Sequence, residues 1–279
     1  MNERVAIVAV TYLSADVIGQ FLESIAAAGT DPTVILVDNS PADDGTAAIA
    51  AQYPGVTLVR PGGNLGYGGG MNHGVALLDP DIRWVALANP DLVLSPGSLT
   101  ELLATAQRLP RAAALGPLIR TGDGDVYPSA RNLPSLRTGL GHAVFGRLWP
   151  TNPWTTSYRN DLAAIDEHAV GWLSGAFLFV RREAFEQVGG FDERYFMYFE
   201  DVDLGRNFGL SGWLNYYVPS AEVMHYGAMS TSKSARLMIK AHHRSAYQYL
   251  AKRYHPWYLW PVRVALRFGL WARSLVAKG

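Results

Sequence analysis

Five acids fall within the seventeen residues GGFDERYFMYFEDVDLG, from Gly189 to Gly205, and three of them, Glu200, Asp201 and Asp203, directly follow a run of large aromatics. Acids in the first turn of a helix oppose the macrodipole, each contributing about 0.3–1 kcal/mol, so helix initiation alone explains part of the cluster. The aromatic run, Tyr195 to Phe199, adds a second expectation. A carboxylate pressed against rings is partly desolvated and becomes a better proton acceptor, which suits a general base.

Three other constellations carry chemistry. In TVILVDNSPADDGT, Asp38 follows an apolar run directly and can accept the imide N–H of uracil or thymine, although Asp-Asn-Ser-Pro is turn chemistry in itself. GGNLGYGGGMNHG, Gly62 to Gly74, leads into a helical pattern. Its glycines would let backbone amides approach a diphosphate, yet it matches neither the dinucleotide fingerprint nor the phosphate loop. In WVALANPDLVL, Asp91 ends a strong strand in a turn with Pro90 at its second position. A carboxylate there can hold a hard divalent ion against a diphosphate, and His225, after VPSAEVM, is a candidate second ligand.

The elements that must position these groups alternate. RVAIVAVTY, TVILVDN, VTLV, WVALANPD and AALGPLI read as strands. Helical patterns cover Asp16 to Ala28, Gly45 to Gln52, Met71 to Leu78 and Ser98 to Gln107, with Asp16 and Ser95 as caps and Pro96 in a first turn. This is the pattern of an α/β fold with a Rossmann-like, mostly parallel sheet, whose ligands bind beyond the carboxyl ends of the strands. Thr11, Asp38 and Asp91 are candidates by that position. From Thr121 to about Asp166 the pattern loosens, with a hairpin expected at Gly122-Asp123-Gly124. A buried strand returns in AVGWLSGAFLFVRR, then a short helix Glu183 to Val188 and a strand near Trp213 to Val218. Two helices broken at Pro256 and Pro261 end the chain.

With 279 residues, 49% of them hydrophobic and 17% charged, the chain reads as a packed globular protein. It has no cysteine, which excludes disulfides and thiolate metal sites. No targeting segment or apolar run long enough to span a bilayer is expected. The zero net charge conceals a split: Val223 to Gly279 holds ten Lys and Arg and no acid, while the first 222 residues carry all 24 acids against 14 basic residues. A basic tail of this kind suits an anionic surface. Val264, Phe268, Trp271 and Leu275 form one helical stripe with Arg263 and Arg267 off it, preceded by Trp257, Tyr258 and Trp260. That pattern fits an interfacial helix, or equally a helix packed on the domain or on a second subunit.

VTY, VDNS, NLGYGGGMN, NPD, WLSGA, GGFDERYFMYFEDVDL and His225 occur in one order, and in that order the chain resembles the family 2 inverting glycosyltransferases of the GT-A fold. GPLIR, VYPSAR, WPTNPWTTSYR, VGWLSGAFLFVRREAF and YVPSAEVMH look most like the actinobacterial rhamnosyltransferases of cell-wall linker synthesis. The resemblance implies a glycosyltransferase domain over 1–230, with a nucleotide-binding half 1–120 and an acceptor half 121–230, and a basic helical extension over 231–279. It implies dTDP-rhamnose as donor, a lipid-linked N-acetylglucosaminyl-diphosphate as acceptor, and Mg²⁺ or Mn²⁺ as cofactor. An anionic membrane surface and a homodimer are further expected contacts, nucleic acid is not, and the place implied is the inner face of the plasma membrane.

By the same resemblance Asp201 is the general base, with Glu200 orienting it or the acceptor. Asp38 meets the thymine, and Thr11, Tyr12, Asn64, Gly66, Tyr67, Asn72 and Asn89 line the nucleotide. Asp91 and His225 face the metal, and Trp172, Ser174, Gly175 and Tyr195 form the acceptor and sugar pocket. Asn89 stands where the family's Asp-X-Asp motif has its first acid, which lowers the charge offered to the metal and raises the weight on His225. Another acceptor, a UDP-sugar donor, a sugar nucleotidyltransferase and a non-catalytic carbohydrate- or nucleotide-binding module are the alternative readings. The Asp91, Glu200-Asp201 and His225 set speaks against a binding module, which needs no base, and the glycine- and basic-rich loop of a nucleotidyltransferase is missing from VAVTYLSAD.

Overall fold

A computed structural model describes residues 3–134, 166–226 and 235–276. The first half folds as its alternating pattern requires: β1 (Val5–Thr11), α1 (Ala15–Ala28), β2 (Thr33–Asp38), α2 (Thr46–Ala50), β3 (Val56–Val59), α3 (Gly66–Ala76), β4 (Trp84–Ala88), β5 (Leu92–Leu94) and α4 (Ser98–Arg108). There follow β6 (Ala112–Thr121), β7 (Val126–Tyr127), β8 (Ala130–Arg131), β9 (His168–Val170), β10 (Trp172–Leu173), β11 (Phe177–Arg181), α5 (Arg182–Gln187), α6 (Glu200–Leu210) and β12 (Leu214–His225). Two helices, α7 (Ala235–Arg253) and α8 (Trp260–Val276), follow, joined through a 3₁₀ turn at Trp257–Leu259. WPTNPWTTSYR lies outside the described residues.

The main sheet has the order β3-β2-β1-β4-β11-β6-β12-β5, with β7 on β6 and β9 on β12; β8 and β10 pair separately. β3, β2, β1 and β4 are mutually parallel, and the order reverses between β1 and β4, the switch point where such sheets bind ligands. β11 runs antiparallel between β4 and β6, and β5, β7 and β9 add further antiparallel edges. Both faces of the sheet are covered. Ile7 and Ala9 of β1 point into a cluster with Phe21 and Leu36, whereas Ala6 and Val8 point into one with Met71 and Phe191. That double burial explains why VAIVAV reads as a continuous apolar run.

Several boundaries differ from the sequence reading. α3 begins at Gly66, so most of the glycine-rich stretch is helix and not a phosphate-cradling loop. Its glycines serve packing: a Cβ at Gly68 would lie 2.8 Å from Phe191, at Gly70 2.6 Å from Val10 and at Gly74 2.4 Å from Val8. Tertiary contact thus overrides glycine's poor helix propensity. Asp16 lies inside α1 behind Ser14, and the carboxylate that accepts a first-turn N–H is the remote Asp44, on Ala15 at 3.2 Å. α4 starts behind Gly97 in the left-handed region, with Ser95 and Pro96 outside the helix. AVGWLSGAFLFVRR divides into three short strands, and the strand near Trp213 extends to His225. Pro261 sits in the first turn of α8, where its missing N–H costs nothing, so only Pro256 marks a break. Gly74→Val should cost about 1–3 kcal/mol through overpacking against Val8, read as a lower denaturant midpoint; unchanged stability would mean α3 does not press on β1.

Candidate active site

The acidic motif folds into an unusual entry to α6. Tyr198 and Phe199 both hold φ of +68°, a left-handed conformation costly for aromatic residues. Contacts on both sides retain it: Tyr67 N–H donates to the Phe196 carbonyl at 3.2 Å, and Ser245 Oγ donates to the Met197 carbonyl at 2.8 Å. Gly66 admits this approach, since a Cβ there would lie 2.4 Å from the Phe196 carbonyl oxygen.

The turn delivers Glu200 and Asp201 to the first positions of α6. The Gly175 amide donates to Asp201 Oδ2 at 2.9 Å and the Val202 amide donates to Oδ1 at 2.8 Å. Tyr67 donates its phenolic O–H to the Gly175 carbonyl. Glu200 is buried, and its Oε2 has no hydrogen-bond partner. Burial, reinforced by the neighbouring Asp201 charge, pushes the Glu200 carboxyl up to about 8. Burial also raises Asp201, but the Gly175 and Val202 amides oppose that rise. Adjacent carboxylates resist ionising together, and of the two Asp201 is the one whose ionised form is supported by amide donors, beside a Glu200 pushed toward its protonated form. Asp203 belongs to neither role. It is 1% exposed, pairs with Lys252 and accepts from Asn207 Nδ2 at 3.1 Å.

Asp91 and His225 meet where β5 and β12 pair. β12 pairs β5 with His225 opposite Leu92, and the Tyr226 amide donates to the Asp91 carbonyl, which brings His225 Nε2 to 3.0 Å from Asp91 Oδ1. Tyr127 stands edge-on to the His225 ring, with centroids 6.2 Å apart. Two ligands at about 2.1 Å on adjacent octahedral positions are also about 3 Å apart, so the pair fits one edge of a Mg²⁺ or Mn²⁺ shell. Among the described residues no group of three or more His, Cys, Asp or Glu is placed to hold an ion. Substrate oxygens and water would complete the shell, the usual arrangement for these hard ions.

At the ends of β1 and β2, Thr11 Oγ1 donates to Asp38 Oδ1 at 3.1 Å, and the Ser40 amide donates to the same oxygen. Arg60, at the end of the VTLV strand and unnoticed in the sequence, donates Nε to Asp38 Oδ2 at 3.0 Å and Nη2 to Asp43 at 3.1 Å. The Asp38 side chain is fully buried and covered by the half-exposed Arg60, and Tyr12, which follows β1, is exposed. Asn64 accepts the Gly66 amide at the start of α3. Asn89 donates its backbone N–H to the Ala176 carbonyl at 2.9 Å.

Two expected site residues are engaged inside the protein. Asn72 clamps the GGFDE turn, donating Nδ2 to the Phe191 carbonyl and accepting the Phe191 amide, both at 2.9 Å. Tyr195 is 2% exposed and packed with Val202 and Tyr249. Trp172 is half-buried with Nε1 on the Asn132 carbonyl. Ser174 is buried, its amide on the Ser129 carbonyl and its Oγ accepting the Ala176 amide, so it shapes the turn that carries Gly175.

Residues 6–189 match the family model described as Glycosyl transferase family 2. The N-acetylglucosaminyl-diphospho-decaprenol L-rhamnosyltransferase of Mycobacterium tuberculosis is 50% identical over 284 residues, covering 98% of this chain and 92% of that protein. Rhamnosyltransferase WbbL of Escherichia coli is 26% identical, covering 89% and 93% respectively. A mannosyltransferase from Pyrobaculum calidifontis, solved with GDP-Man and Mn²⁺, superposes with a TM-score of 0.61 at 15% identity, over 99% of this chain and 76% of that one. TarS of S. aureus gives 0.56 at 15%, over 85% and 39%. At these identities the two structures show the fold alone.

The raised Glu200 predicts a pH dependence of stability. An unfolded glutamate titrates near 4.5 and the folded one near 8. Between these values the folded state binds more protons, so stability falls as pH rises through that window. Glu200→Gln removes the titration. Its unfolding free energy should gain on the parent protein by up to about 1.4 kcal/mol per pH unit across the window; parallel curves would show that Glu200 is not held protonated.

Proposed function

Because the chain belongs to glycosyl transferase family 2, we propose that this glycosyltransferase moves L-rhamnose from dTDP-β-L-rhamnose to the 3-hydroxyl of an N-acetylglucosaminyl-diphospho-polyprenol, with inversion. The mechanism is carried by the position of Asp201, a carboxylate held by two amides at the start of α6. The rhamnosyl group and the lipid-linked acceptor are supported by the named activity of the half-identical Mycobacterium tuberculosis relative, and the dTDP carrier is part of the proposal.

Asp201 takes the proton of the acceptor hydroxyl as its oxygen attacks the anomeric carbon, on the face opposite the diphosphate. The amides of Gly175 and Val202 fix the carboxylate for that transfer, and protonated Glu200 has an O–H to offer the acceptor. Asp38 and Thr11 receive the thymine, with Arg60 turning from Asp38 to admit it. Asp91 and His225 would hold a divalent ion, which when bound supplies charge to the departing diphosphate.

The C-terminal helices supply a surface for a lipid-linked acceptor. Among the described residues no helix is long and apolar enough to cross a membrane. Instead Trp257 (82% exposed), Tyr258, Trp260, Phe268 and Trp271 project outward, and a cavity of about 520 Å³ opens among Trp260, Val264, Arg267, Phe268 and Tyr247. Arg263 donates to the carbonyls of Tyr254, His255 and Pro256, and both it and Arg267 line the cavity. Exposed indole and phenol rings beside basic residues suit the headgroup region of an anionic bilayer on the cytoplasmic side.

Incubation with dTDP-rhamnose and a synthetic N-acetylglucosaminyl-diphospho-lipid should yield the rhamnosyl product, and transfer only from a UDP-sugar run in parallel would overturn the donor. Asp201→Asn should lower turnover roughly 10²- to 10⁴-fold while dTDP affinity stays; normal turnover would remove the base assignment. Asp91→Ala should weaken metal-dependent donor binding, with unchanged metal dependence counting against its role. The protein should sediment with anionic liposomes at low salt. Dimerisation in light scattering without sedimentation would give the aromatic ledge to a second copy instead.

A further inference from the structure

α7 does not stand apart as a tail. Tyr249 is 1% exposed and packs against Phe199, with the centroids 5.7 Å apart, and it joins a buried cluster with Tyr195 and Val202. His242 stands edge-on to both left-handed residues, 5.5 Å from Tyr198 and 5.4 Å from Phe199. Ser245 holds the Met197 carbonyl. Two turns further along, Lys252 Nζ lies 3.0 Å from Asp192 Oδ2 and 2.6 Å from Asp203 Oδ2. These two acids bracket the segment that carries the left-handed turn, Glu200 and Asp201.

We propose that Lys252 is a positioning residue for the transfer reaction: its ammonium clasps Asp192 and Asp203 across the two ends of residues 192–203 and so fixes the catalytic carboxylates against Gly175. The partners are unequal. Asp192 also receives Nε and Nη2 of Arg194, at 2.8 and 2.5 Å, and keeps a counter-charge without Lys252. Asp203 has only the Asn207 amide besides, and its buried Oδ1 has no partner at all. Other charges near this cluster are Arg206 and Arg253, which act on Tyr249. Removing the ammonium therefore strands a buried carboxylate two residues from Asp201. Removing one member of such a pair is costly, whereas replacing both by neutral groups is tolerated.

This inference rests on the proposed reading for its activity assay and is independent of it in a second measurement. Lys252→Met should lower turnover roughly ten- to hundredfold, as expected of misplaced catalytic groups, and raise the acceptor KM while dTDP affinity stays unchanged. Lys252→Arg should retain activity, and the double variant Asp203→Asn/Lys252→Met should recover most of what Lys252→Met lost. In parallel, amide hydrogen exchange over residues 192–203 should quicken in Lys252→Met and return in the double variant. Normal turnover with unchanged exchange in Lys252→Met would overturn the proposal, as would equal loss of dTDP affinity and turnover in single and double variants. If the parent protein transfers no rhamnose in this assay, the functional reading fails and the exchange data alone decide the role of Lys252.

Discussion

The amide of Gly175 donating to Asp201 is the contact on which the rest of the site depends. Three consecutive residues meet three parts of the molecule. Ser174 joins β8 through the Ser129 carbonyl, Gly175 holds Asp201 and receives Tyr67, and Ala176 accepts the Asn89 amide next to Asp91. One turn between β10 and β11 thus fixes the acid pair at α6 relative to the Asp91–His225 pair at the sheet edge. A Cβ at position 175 would lie 3.4 Å from both Asp201 and Tyr67, so the turn is in van der Waals contact with both side chains.

The energetics of the acid pair follow from burial more than from the helix. A rise from 4.5 to about 8 in Glu200 corresponds to something on the order of 5 kcal/mol between its two protonation states. A favourable helix N-terminus supplies about 0.3–1 kcal/mol to an exposed anion, far too little to offset that. Desolvation therefore pushes Glu200 toward its protonated form, while the two amides on Asp201 oppose the same push there. The left-handed Tyr198 and Phe199 add strain at the same point. α3 on one side and α7 on the other both contact this turn, consistent with a strained functional segment stabilised by its surroundings.

Much of this was legible in the sequence, and the omissions have physical causes. Runs such as VAIVAV and WVALA gave β1 and β4, and strand-end polarity pointed to Thr11, Asp38 and Asp91, because a parallel sheet buried on both faces leaves polar groups only at its ends. The glycine-rich stretch was misread because packing of Gly70 and Gly74 on β1 outweighs propensity, and no local pattern reports packing. Motif membership points Tyr195 and Asn72 toward the ligands, but Tyr195 packs on Val202 and Tyr249, and Asn72, in α3, is taken up by the backbone of Phe191. Arg60 and Lys252 lie 22 residues from Asp38 and 49 from Asp203. Pairings that distant carry no periodic or spacing signal, although the acid-free tail did announce that its cations needed partners.

In the proposed reaction one carboxylate, Asp201, works on the acceptor side in a single displacement. The anomeric configuration of the product formed from dTDP-β-L-rhamnose tests this most directly, through the one-bond carbon–proton coupling at the new rhamnosyl C1. The account predicts an α-L-rhamnosyl linkage, inverted relative to the donor. A β-linked product would mean retention, and with it a mechanism that Asp201 acting as a lone base cannot provide.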